Sequence, residues 1–363
     1  MNEVRDNVKL ALPFIAGIAS FSCLSLSLKY TYLTAAISLI LLTLFLSHIL
    51  HILRFEKKTY WWEILTICFI AGLFVSSNSS LINITDHNRV IDYAQSIGLR
   101  MQVWIDNIRF ESEDTNAIIK ALLTGNRSDL STDIIEAFRT SGASHILALS
   151  GLHLGIIYLI ISKLTAIAGN SPTGRTIRSL LCIGICATYS FATGANASIF
   201  RALLFIIIRE TSKLLHRDAD LKTTIITCLM LHIILDPSDI TEIGFQLSYA
   251  AIAGIAWIHP WLNSLWEDDG EGKTIMRRIW NSASLSISCQ LTTGPLAWLY
   301  FGTFPQYFIL TNLFALPLTA IIIPMAILTT LLHSIGLCPD MLIHGTEIMV
   351  NALCSTLTII SDM

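Results

Sequence analysis

Apolar residues run through this chain in blocks long enough to cross a bilayer, separated by short polar turns. A transmembrane helix needs about 20 consecutive, mostly apolar residues. That criterion predicts spans at 10–28, 31–53, 60–78, 144–168, 176–194, 197–215, 222–236, 243–259, 279–300, 305–332 and 341–360. The fold class expected is therefore all-α, a polytopic transmembrane helical bundle of about 10–11 spans. The run at 222–236 is short. The run at 305–332 is long and carries Pro305, Pro317 and Pro324, so it reads either as a kinked helix or as a re-entrant pair. The first run follows Glu3 and Asp6 and has no A-x-A site, which favours a retained span over a cleaved signal.

One long stretch, residues 79–143, interrupts the apolar blocks. In it Val90, Tyr93, Ile97, Met101, Trp104, Ile105 and Ile108 recur at helical spacing, predicting an amphipathic helix lying on the membrane or on the bundle. Two short helices follow, with Gly125–Asn126 as the turn between them. Ser131 is the expected N-cap of the second, which places Ile134 and Phe138 on one face. The domain organisation expected is N-terminal membrane helices over 1–80, an external helical segment over 81–143 and a membrane core over 144–363.

Composition agrees with lipid as the solvent. Charged residues make up 13% of the chain and mean hydropathy is +0.64, against about 25% charged residues in a soluble domain. The net charge of −3 says little about partners, but its distribution sets orientation. Lys and Arg gather in alternate loops: Arg5 and Lys9; Arg54, Lys57 and Lys58; Lys163, Arg175 and Arg178; Arg209, Lys213, Arg217 and Lys222; Lys273, Arg277 and Arg278. Of the short intervening loops, only the first holds a basic residue, Lys29. By the positive-inside rule the N-terminus is cytoplasmic and 79–143 is external. Cys182 and Cys186 share a helix face without nearby His or acidic partners, so they read as packing residues and no metal site or cofactor is expected.

Polar groups at membrane depth are costly and mark function by default. The densest cluster is SGASHILALSGLHLG, 141–155, where His145, Ser150 and His153 either form a polar lining near the outer face or act as helix–helix glue satisfied by neighbouring backbone. Gly151 and Gly155 form a GxxxG that serves an internal contact or a homodimer equally well. In TGANASIFRALLF, 193–205, Asn196 or Ser198 caps a helix that carries Arg201. That arginine either snorkels to headgroups or faces an anionic path. Gln246 and Ser248 enter a small-residue span, while Asp236, Asp239 and Glu242 beside it are expected in solvent. Gln290, Thr292 and Thr293 precede Gly294–Pro295, an expected helix break. There is no Walker A sequence and no H-E-x-x-H. Ser150 and His153 alone suggest an intramembrane hydrolase, but positions three apart on one helix rarely supply base and oxyanion site together. An enzyme is not expected.

The stretch ALLTGNRSDLSTDIIEAFRTSGASHILALSGLHLG resembles the competence region of ComEC-type DNA-internalisation proteins. ASIFRALLF, LDPSDITEIGFQLSYAAIAG and QLTTGPLAWLYFGTFPQYFILTNLFALPLTAIIIP are similar to the family's later blocks, in the same order. The resemblance covers 115–335 well and the N-terminus loosely. It implies a multi-pass channel in the bacterial inner membrane that passes single-stranded DNA to the cytoplasm during natural transformation. The partners implied are a DNA receptor and cytoplasmic DNA-processing proteins. His145, Ser150, Gly151, His153, Arg201, Phe245, Gln246 and Gln290 match the family's motif positions, and Asn196 joins them as a path candidate. Two departures stand out: no stretch fits the family's OB-type domain, and no metallo-β-lactamase-like signature follows. The alternative reading is a transporter of another anionic solute by a diverged relative.

Overall fold

A computed structural model describes residues 11–17, Phe69 and 89–363, apart from 170, 217–219, 267–274 and 303–306. The expected span 31–53, all of 60–78 but Phe69, most of 10–28, and their basic loops lie outside the described residues. The chain divides into two compact units. One comprises Met1–Asp86 and Asp218–Gln246, the other His87–Arg217 and Leu247–Met363.

Every regular element among the described residues is helical. They are α1 (Arg89–Asp106), α2 (Glu113–Thr124), α3 (Thr132–Thr140), α4 (Ser144–Leu147), α5 (Gly151–Leu164), α6 (Pro172–Ala192), α7 (Ala197–Leu214), α8 (Leu221–Leu235), α9 (Ile243–Ala253), α10 (His259–Ser264), α11 (Ile275–Phe301), α12 (Phe308–Ser334) and α13 (Asp340–Ser361). A π-helical turn, Gly254–Ile258, joins α9 to α10.

Two of these, α12 and α13, are long and apolar enough to cross a membrane on length and composition. The other expected spans fall short for identifiable reasons. The 144–168 block is broken between Leu147 and Gly151, leaving a 14-residue α5. α8 has 15 residues. α11 is 27 residues long, but its serines, threonines and Gln290 lower its hydropathy. The proline-rich run resolves as one helix: α12 passes through Pro317 and Pro324 without a re-entrant turn, and Pro295 lies inside α11 where a break was expected. Neighbouring helices and Ser/Thr side chains make such prolines tolerable in membrane helices.

The larger unit has two apolar centres. In the first, α2 lies almost wholly buried among α1, α4, α12 and α13. Ile118, Leu122, Ala315, Ile322, Ile323, Leu353 and Leu357 are all sealed from solvent. α2 is therefore a core element of this unit. Its first turn is met by Glu347 of α13, whose Oε1 accepts from the Ser112 backbone N–H at 2.8 Å. Negative charge at a helix start is favourable. Its C-terminus closes at Gly125, φ 77°, a left-handed conformation that glycine adopts without cost. The Tyr189 hydroxyl donates to the Leu123 carbonyl at 2.8 Å, tying α6 to the same helix. Lys120, also buried, is met by both Asp106 and Asp129.

The second centre packs α5, α6 and α7 through Leu154, Ile157, Cys182, Cys186, Ile199 and Leu203. α1 lies against α6, so the amphipathic helix rests on the bundle, with Ala94, Gly98 and Ile105 on its buried stripe. A Cβ at Gly98 would stand 2.1 Å from the Ala192 carbonyl oxygen, so only glycine permits this approach. Tyr93 and Trp104, expected on the apolar face, are exposed.

In the smaller unit, α8 packs against the 3₁₀ turn Pro237–Thr241. Asp239 was expected in solvent. Instead its Oδ2 lies 2.8 Å from Nε2 of the fully buried His232, whose ring meets Phe245 edge-on at 5.0 Å.

Candidate functional site at the α5 and α7 N-termini

The break after α4 exists because Ala148, Leu149 and Ser150 leave the helix, and Ser150 restarts it as an N-cap. Its Oγ accepts from the Leu152 backbone N–H at 3.3 Å, and its own backbone N–H donates to His153 Nδ1 at 3.2 Å. This is a capping box in which histidine takes the place usually held by Glu or Gln. His153 Nδ1 also lies 3.1 Å from Ser150 Oγ. Because Nδ1 accepts a backbone N–H, the neutral ring carries its proton on Nε2. Nε2 is buried and has no hydrogen-bond partner among the described residues.

Gly151, first residue of α5, faces α7. A Cβ there would lie 3.5 Å from Ala202 Cβ and 3.7 Å from Arg201 Nη2. Arg201 is 5% exposed. Its guanidinium donates to Ser198 Oγ at 3.4 Å and sits 5.5 Å from the centre of the Tyr249 ring. That ring distance is within cation–π range. Ser198 Oγ is in turn 3.4 Å from Ser248 Oγ. Asn196 caps α7, its Oδ1 accepting from the Ile199 N–H at 3.1 Å. The preceding turn needs left-handed backbone at Gly194 and Ala195 (φ 89° and 46°).

The structure thus brings Ser150, Gly151, His153, Asn196 and Arg201 to the starts of two adjacent helices. It does not bring the other candidates into that cluster. His145 is exposed, and its Nδ1 lies 3.1 Å from the Gly142 carbonyl oxygen. Gln290 makes no hydrogen bond to the cluster among the described residues, and its Nε2 is buried without a partner there. Gln246 belongs to the smaller unit, where Nε2 donates to the Ile240 carbonyl at 3.0 Å. Phe245 packs in the same unit.

Sequence reasoning missed Tyr249. It also missed a network at the opposite ends of α5 and α7, where Glu210 is 1% exposed. Glu210 accepts from Tyr158, from Ser179 at 2.7 Å and from Lys213 at 2.5 Å, while Lys213 also donates to Tyr158 at 2.7 Å. The available signal was an acidic residue in an apolar helix one turn from a lysine.

The sequence pattern of the competence protein family matches residues 122–363, two thirds of the chain and all of the site just described. The chain belongs to the competence protein family. Among its relatives, "Uncharacterized protein YcaI" of Escherichia coli K12 is 26% identical over 226 residues, 61% of this chain and 30% of that protein. "ComE operon protein 3" of Bacillus subtilis 168 is 29% identical over 137 residues, 38% of this chain and 17% of that protein. The matched region thus spans under a third of the length of either relative. No solved structure matches the chain. Within the family region lie both capped helix starts, Arg201, and the two long apolar helices α12 and α13.

Proposed function

We propose that this competence-family chain crosses a bacterial inner membrane several times and forms the core of a channel that passes single-stranded DNA into the cytoplasm during natural transformation. The observation that carries the reading is Arg201. It is a buried guanidinium held beside the first residue of α5, where the helix dipole also favours negative charge. A DNA strand presents a phosphate at every step, and phosphate contacts supply affinity without reading sequence. A positive helix start lined by Ser198, Ser248, Tyr249 and His153 suits such a strand better than a neutral solute. The two long helices support the membrane location: 27 residues of α12 extend about 40 Å, more than the roughly 30 Å hydrocarbon core. The partners of such a channel are an external DNA receptor and cytoplasmic DNA-processing proteins. We assign the chain no catalytic step.

The test is a chromosomal Arg201→Gln replacement in the source cell. Transformation should fall by about tenfold or more, as loss of a charge-assisted phosphate contact implies, with DNA bound at the cell surface unchanged. Undiminished transformation in a deletion strain that holds no longer relative overturns the reading. Purified chain in liposomes separates the runner-up: flux of a small anion without passage of single-stranded DNA favours an anionic-solute transporter.

A further inference from the structure

The opposite end of the α5–α6–α7 bundle carries a second site. The start of α6 and the end of α7 meet there around a cavity of about 130 Å³ lined by Arg175, Arg178, Ser179, Glu210, Lys213 and His216, among others. The charges do not cancel. Glu210 is satisfied by Lys213, Tyr158 and Ser179, which leaves Arg175 and Arg178 as surplus positive charge. Both are half-buried on one face of α6, and neither makes an ion pair among the described residues. Lys213 is held in place by its contact with the Tyr158 ring, 5.4 Å from the centroid.

Size narrows the ligand. Pockets for drug-sized molecules run to about 300–1,000 Å³. A cavity of 130 Å³ takes a phosphate and a few waters, not a nucleoside. Surroundings narrow it further. Between and after the arginines, α6 turns Ile177, Leu180, Leu181 and Ile185 outward, each between 44% and 61% exposed. A phosphate pocket at the head of an outward apolar strip is the shape of a phospholipid: headgroup in the pocket, acyl chains along the strip. Basic pockets between membrane helices on the cytoplasmic side bind anionic headgroups in this way.

We propose that this pocket holds the phosphate of an anionic phospholipid of the cytoplasmic leaflet, with Arg175 and Arg178 as its ligands and the Glu210–Lys213–Tyr158 network as the scaffold that keeps the cavity open. The inference rests on the membrane-spanning reading of α5 to α7 but not on the passage of DNA.

The full-length chain in nanodiscs of phosphatidylcholine containing phosphatidylglycerol as a minor component provides the test, with retained lipid read by native mass spectrometry. Wild type should enrich phosphatidylglycerol over phosphatidylcholine. The Arg175→Gln/Arg178→Gln pair should lower that preference by roughly thirtyfold, the equivalent of about 1 kcal/mol for each basic residue near the surface. Arg139→Gln, on the exposed α3, should change nothing. Equal retention of the two lipids by wild type overturns the proposal without any variant, as does a double variant that keeps the preference. If the double variant does not fold, each single Arg→Gln variant is read instead, and an unchanged preference in both overturns it. Inorganic phosphate retained by detergent-purified chain, with no preference for phosphatidylglycerol, overturns the lipid source in favour of a free anion. A single-stranded oligonucleotide whose binding is lost with the two arginines, lipid preference remaining, makes the pocket a nucleic-acid contact and overturns it too. No DNA enters the lipid assay, so its failure leaves the proposed channel standing. A chain that fractionates away from membranes fails the shared premise instead.

Discussion

His153 folds back onto the residue that starts its own helix: its Nδ1 accepts the backbone N–H of Ser150 at 3.2 Å. The pair is thereby committed to capping. Ser150→Ala should cost about 1 kcal/mol. His153→Gln, which keeps an acceptor, should cost less than His153→Leu, with thermal unfolding in detergent as the measurement. The same geometry argues against a serine nucleophile, because Nδ1 already accepts a backbone proton. A fluorophosphonate probe should leave Ser150 unlabelled, and labelling that Ser150→Ala abolishes would revive a hydrolase.

Three glycines should part company on substitution. Gly98→Ala and Gly254→Ala would set a Cβ 2.1 Å and 2.3 Å from the carbonyl oxygens of Ala192 and Ser288. Backbone must move in both cases, a cost of about 1–3 kcal/mol or more. Gly155→Ala meets nothing within 4 Å, and a small gain in helix propensity is expected. Folded yield from membranes, measured for all three, checks the order. Equal yields would contradict the packing described for α1 on α6.

Lys120 should make the stability of the larger unit acid-sensitive. Burial works against its charge, but hydrogen bonds to Asp106 and Asp129 win and hold the ammonium above its ordinary value. The hydrogen bond from Lys120 holds the Asp129 carboxyl below the usual carboxylate value. The carboxylate's contribution is therefore present above about pH 4, the ordinary Asp value, and is lost as pH falls through the lowered one. The lysine's contribution is complete below about pH 10 and is lost as pH rises through the raised value. Lys120→Met should lower stability by roughly 1–3 kcal/mol, evenly between those limits. The gap to wild type should shrink in acid. A gap that widens in acid would contradict the pairing.

Removing Glu210 should be among the more damaging changes. Glu210→Ala leaves the Tyr158 and Ser179 hydroxyls without their acceptor and Lys213 without its counter-charge, roughly 3 kcal/mol or more for a buried pair broken on one side. Glu210→Gln with Lys213→Met removes both charges and keeps an acceptor, and should recover much of the loss. A double-mutant cycle on unfolding midpoints measures the coupling.

Much of this architecture was legible in the chain. Periodicity placed α1, α3, α6, α7, α8 and α13 to within a few residues, because spacing and caps such as Ser131 and Asn196 act locally. The cluster 141–155 and Arg201 were visible because a polar residue among apolar ones is conspicuous before anything folds. What the sequence could not determine is which surfaces meet. α2 has the length and charge of a surface helix, yet it is the buried centre of the larger unit, because α12 and α13 close over it from far along the chain. Ser150 and His153 looked like paired chemistry, and only the chain's exit from helix at Ala148 made them a cap. Arg201 was open to either a headgroup or a path. It lies buried beside the start of α5, with its guanidinium near the ring of Tyr249, a residue about 50 positions further along the chain. Local pattern decides which segments become helices, and long-range packing decides which polar groups share a site.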